Sequence, residues 1–65
     1  MTYREGAVVK DAATGLVGVV VRADHDTDQA RLRRLGSEFE WEAPGRALRL
    51  ATAEDRARAI REVAP

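Results

Sequence analysis

The chain has 65 residues, 45% of them hydrophobic, with 11 cationic and 11 anionic side chains and no cysteine. Twelve of the apolar residues are alanine, and the 17 larger ones build one modest core, so a single domain over residues 1–65 is expected. Disulfides, thiolate metal sites and thiol catalysis are excluded, and a net charge of zero argues against a general polyanion binder.

The opening Met1-Thr2-Tyr3-Arg4-Glu5-Gly6 has no apolar stretch of the kind a signal peptide carries. The longest run of large apolar residues, Val19-Val20-Val21, is far short of the roughly 20 that span a membrane. A cytoplasmic protein without membrane attachment is the expectation. Ala7–Lys10 is a short β-prone run, and Asp11-Ala12-Ala13-Thr14-Gly15 reads as a turn. Leu16–Arg22 is the most strand-like segment. It places Val17, Val19 and Val21 on one face, with Gly18, Val20 and Arg22 on the other. A strand apolar on both sides fits a tightly bent sheet, and Gly18 marks a bend or a close backbone approach. Ala23–Gln29 is a polar loop.

Ala30–Leu35 and Glu38–Glu42 are two further strands around Gly36-Ser37, which suits a two-residue type II′ turn. That turn sets Leu35 against Glu38, Arg34 against Phe39, Arg33 against Glu40, Leu32 against Trp41 and Arg31 against Glu42. Opposite charges then share one face, while Leu32–Trp41 and Arg34–Phe39 share the other. A slip by one residue would bury the carboxylates. Arg34 faces inward by parity and is expected at the rim, over an aromatic ring or turned out by a bulge. Ala43-Pro44-Gly45-Arg46 breaks the sheet through a tight or 3₁₀ turn, and Ala47–Leu50 is a last short strand with Leu48 and Leu50 on one face.

Thr52 is a good N-cap, with Asp55 at the capping-box position, for a helix over about 53–63. Glu54–Arg58 and Arg58–Glu62 are i,i+4 pairs. Ala57, Ile60 and Val63 or Ala64 form a narrow apolar stripe. The stripe is read as packing across an open end of the sheet. A partner, or a second copy in a weak homodimer, is the alternative.

Five short strands, a tight hairpin and a 3₁₀-like turn before the last strand resemble the SH3-like small barrels. Gly6-Ala7-Val8-Val9-Lys10 followed by Gly15-Leu16-Val17-Gly18-Val19-Val20 resembles the KOW pattern, with Gly6, Val9, Gly15, Gly18 and Val20 at its glycine and valine positions. The chain departs from that pattern near the second glycine, where KOW modules carry a basic or aromatic residue and Thr14 and Leu16 stand here. The segments Thr14–Val20 and Glu40-Trp41-Glu42-Ala43-Pro44 also resemble short actinobacterial proteins without assigned function. The resemblance implies a mainly β fold, a five-stranded SH3-like barrel over about 5–50 with a C-terminal α-helix. Such barrels, Tudor and KOW modules among them, bind peptides, nucleic acid or other proteins, and fold alone does not choose.

The candidate sites divide by chemistry. Asp24, Asp26 and Asp28 have the first spacings of a calcium loop, but Gln29 and Leu35 stand where glycine and glutamate are required. His25 has no second His or Cys to share a metal, and Ser37 has no base nearby in sequence. Glu38, Glu40 and Glu42 alternate along one face and are read as a solubilising row paired with arginine. No catalytic residue, cofactor or metal is therefore expected, and the chain is read as a non-catalytic module for an unidentified protein partner. The expected partner-binding residues are Trp41, Phe39, Arg34 and Tyr3. The alternative is nucleic acid or the transcription machinery, through Arg31, Arg33, Arg34, Arg46 and Arg49 converging into one patch.

Overall fold

The computed structural model describes residues 3–63. Its elements are β1 (Val8–Asp11), β2 (Val17–Asp24), β3 (Gln29–Arg34), β4 (Glu40–Pro44), a 3₁₀ turn (Gly45–Ala47), β5 (Leu48–Leu50) and α1 (Ala53–Val63). The five strands form one antiparallel sheet in the order β4-β3-β2-β1-β5. Among the described residues no helix is long and apolar enough to cross a membrane.

The hairpin register is the expected one, with Leu32 opposite Trp41, Arg33 opposite Glu40 and Arg31 opposite Glu42. The turn that makes it differs. Ser37 N donates to Arg34 O at 3.0 Å, so Leu35 and Gly36 are the central residues and Gly36, at φ +79°, takes the second of those positions. A glycine with positive φ was required, but one residue later in the turn than a type II′ geometry places it. The turn closes with Phe39 N donating to Ser37 Oγ at 3.1 Å.

Each strand is shifted by one or two residues from its expected bounds, and two of the shifts change which side chains face the core or the edge. β2 continues to Asp24 through a bulge between Val20 and Arg22. The bulge moves Arg22 off the Val20 face and opposite Arg31, and turns Ala23 toward the core instead. β4 continues through Pro44. Its partner Gln29 is a non-hydrogen-bonded one, so the proline nitrogen faces the free edge and no ladder bond is lost.

The path from β4 to β5 dictates curvature. In a flat sheet with strands about 4.8 Å apart, the two edges of a five-stranded sheet stand roughly 19 Å from one another. Here three residues join them, in a 3₁₀ turn that rises only about 2 Å per residue. The sheet therefore curls, and its inner face gathers Val9, Val20, Ala30, Leu32, Ala43 and Leu48, drawn from all five strands, into one core. Hydrogen bonding does not close the ring, because β4 and β5 both remain edges. The expectation of a barrel is met in strand number and not in closure.

Helix α1 starts as its capping box demands: Asp55 N donates to Thr52 Oγ1 at 3.0 Å and Thr52 N donates to Asp55 Oδ2 at 2.9 Å. Of the two expected i,i+4 pairs, Glu54–Arg58 forms at 3.0 Å. The buried stripe is not the expected one. Asp55 and Ala59 are buried and Val63 is half-buried, whereas Ala57 is exposed and Ile60 is 55% exposed. Ala64, the other proposed end of the stripe, lies outside the described residues. Asp55 reaches Lys10 and Arg49, which share the sheet face opposite Val9, and the helix contacts β2. The helix thus lies on the outer face of the sheet, where Val17 is also buried, and not across an open end.

Candidate functional site

The site begins with a close approach. Gly18 on β2 has no side chain, and a β-carbon there would stand 2.8 Å from Trp41 Cη2 and 2.7 Å from the Arg33 carbonyl oxygen. The indole fills that space. Its Nε1 donates to Asp11 Oδ2 at 2.9 Å, so a side chain from β4 reaches a carboxylate on β1 across the curled inner face. Asp11 is only 2% exposed. Burial pushes its carboxyl up, but the hydrogen bonds donated by Trp41, Ala13 and Thr14 outweigh that and hold it below the usual carboxylate range. Trp41 is half-buried and packs against the core. The indole is thus part of the core and partly open to solvent.

Phe39 lies on this fixed base. Its ring stacks on Trp41 with centroids 6.0 Å apart and planes 19° apart, and it is 55% exposed. Arg34 lies beside it in the hairpin: Arg34 N donates to Phe39 O at 2.7 Å, and the residue opposite Arg34 on β2 is Gly18. No bulge turns Arg34 out, since the bulge falls further along β2, between Val20 and Arg22, and Arg34 stays half-buried on the inner face. Tyr3 is anchored elsewhere, its hydroxyl donating to Leu48 O at 3.0 Å on β5. The structure therefore joins Phe39, Trp41 and Arg34 at one end of the hairpin, with Tyr3 on the β5 side.

The arginines are largely engaged. Arg31 Nε donates to Glu40 Oε1 at 2.7 Å and Arg33 Nη2 donates to Glu40 Oε2 at 3.1 Å, while Arg31 also lies 3.6 Å from Glu42. The hydrogen bonds from Arg31 and then Arg33 hold Glu40 below the usual carboxylate range. The expected cross-strand pairs thus become a fork in which one glutamate serves two arginines. Arg49 Nη1 donates to Asp55 Oδ2 at 2.8 Å, and that bond, with the one from Thr52 N, sets Asp55 far below its ordinary range. Arg31 and Arg33 on β3 and Arg49 on β5 lie on the outer face of the sheet, whereas Arg34 lies on the inner face and Arg46 on the 3₁₀ turn, so the five do not all share one face.

Among the remaining candidates, Asp24 bonds within its own loop. Asp24 Oδ1 accepts from Asp26 N at 3.0 Å and from Thr27 N at 3.3 Å, which shapes the loop and lowers the Asp24 carboxyl. Among the described residues no group of three or more His, Asp or Glu side chains is placed to hold a metal ion. An open cleft at Arg22, Asp24, Gln29, Arg31 and Glu42 carries as many carboxylates as guanidiniums.

Sequence reasoning missed Asp11 as the partner of the indole. Its one visible sign is an aspartate at the head of a tight turn, where the carboxylate also takes Ala13 N at 2.9 Å. Comparison with protein-family models, with curated proteins and with solved structures finds no match for this chain.

Proposed function

We propose that this chain is a non-catalytic protein-interaction module with an SH3-like architecture, and that its binding face is the Phe39–Trp41 pair with Arg34 at its side. The SH3-like part is supported by the small size, the five antiparallel strands and the 3₁₀ turn between the last two. The observation that carries the binding part is the exposed Phe39 ring stacked on an indole that Asp11, Leu32 and Gly18 hold in place. A large aromatic surface held rigid before binding loses little side-chain entropy on contact, which is the physical profile of an interface anchor.

Nucleic-acid binding is the second reading. It has less support, because Arg31, Arg33 and Arg49 already bond to carboxylates within the chain. Affinity capture from lysate with and without nuclease separates the two. The interaction reading expects protein partners that survive nuclease and disappear with Phe39→Ala. Partners that vanish with nuclease, and with Arg31→Ala/Arg33→Ala, would move the assignment to nucleic acid.

A further inference from the structure

The two sheet edges are not equivalent. On β5, the register with β1 turns the backbone groups of Leu48 and Leu50 toward the free edge. Three of those four groups are used within the chain. Leu48 N donates to Gly45 O, Leu48 O accepts from the Tyr3 hydroxyl at 3.0 Å, and Leu50 O accepts from Arg49 Nη1 at 3.1 Å. On β4, the bond from Arg34 N to Phe39 O fixes the alternation, so Trp41 and Ala43 bond toward β3 while Glu40 and Glu42 turn both N–H and C=O outward. No bond within the chain takes up those four groups among the described residues. One edge is sealed by side chains and the other stands open.

We propose that the open edge of β4 receives an extended peptide as a sixth strand, one that alternates basic and apolar side chains. This rests on the reading of Phe39 and Trp41 as a binding face. Residues directly across an antiparallel pair share a face, so alternate peptide positions meet the two sides of β4 differently. On the inner side they meet the Phe39–Trp41 stack, which favours apolar groups. On the outer side they meet Glu40 and Glu42; the Glu42 side chain is 65% exposed and favours a lysine or arginine. The same charges disfavour a second copy of this chain, because antiparallel β4–β4 pairing would set Glu40 and Glu42 against their own counterparts.

The test uses the full chain, labelled for NMR, and a blocked hexapeptide alternating lysine and valine. Controls are the glutamate–valine analogue and a lysine–valine peptide methylated on its inward backbone nitrogens. Saturating lysine–valine peptide slows hydrogen exchange at the Glu40 and Glu42 amides about tenfold or more. Both controls leave it unchanged, and Glu42→Lys inverts the charge preference. Unchanged exchange at both amides, or equal protection by either control, overturns the proposal. Shifts at Phe39 and Trp41 without amide protection overturn the edge pairing while leaving the aromatic face intact. Protection that grows with protein concentration and needs no peptide makes the second copy the occupant, against the proposal.

Discussion

At Gly18 the limit is space, not backbone conformation. An added methyl group would press on Trp41 Cη2 and on the Arg33 carbonyl at once, and the carbonyl belongs to a paired strand. Gly18→Ala is expected to cost about 1–3 kcal/mol, as overpacking of a tight core does, read as a lower urea midpoint with an unchanged m-value. Trp41→Phe keeps a ring but removes the indole N–H from a carboxylate that is 2% exposed. Leaving a buried acceptor short of a donor costs about 1–3 kcal/mol, and the same denaturation series checks it. The part played by Gly18 was legible, since a glycine inside a strand signals a close approach. The Asp11–Trp41 bond was not, because it joins residues 30 positions apart and exists only once the sheet has curled.

Each element was legible in proportion to how far its own sequence decides its neighbours. The β3–β4 register followed from alternating charges and one Leu–Trp pair, all within a single hairpin. The Gly36 position did not, because a one-residue shift of the turn's central pair preserves that register. The helix stripe was misread for a different reason. The sequence reading followed the apolar spacing of Ala57, Ile60 and Val63, whereas α1 is seated by an aspartate paired with two cations and by Ala59, one turn further along the same face. At Gly36 a side chain would strike Val63, with a β-carbon only 2.5 Å from Val63 Cγ2. Two tests belong here. Asp55→Asn is expected to lower Tm by several degrees at neutral pH, through loss of the capping-box acceptor and of the Arg49 and Lys10 pairs. The second concerns acid. Asp55, Glu40 and Asp11 all have folded-state carboxyls lowered from the ordinary range. Their contribution is therefore complete above the unfolded carboxylate values, near pH 4, and is lost as pH falls toward the folded ones. Thermal melts of the wild-type protein should drop steadily below about pH 5, and those of Asp55→Asn should drop less steeply over the same window. Parallel curves would show that Asp55 does not carry this dependence.

Across the whole molecule, closure between β4 and β5 is what the sequence could not convey. A strand pattern counts strands and sorts their faces, but whether the two edges bond is decided by how tightly five strands curl. Here they curl enough to share one core and leave the ladder open. The Asp11–Trp41 bond spans the curled inner face, and Phe39 stacks on the indole so tethered, beside a β4 edge whose outward backbone groups at Glu40 and Glu42 take no bond among the described residues. The most direct measurement is amide hydrogen exchange along β4 in the free protein. Trp41 and Ala43 should exchange slowly, with Glu40 and Glu42 fast between them, and the Trp41 indole N–H should be protected. Uniform protection of all four amides, or a fast-exchanging indole, would mean that the edge is closed or that the ring is not tethered to Asp11, and the account would fail.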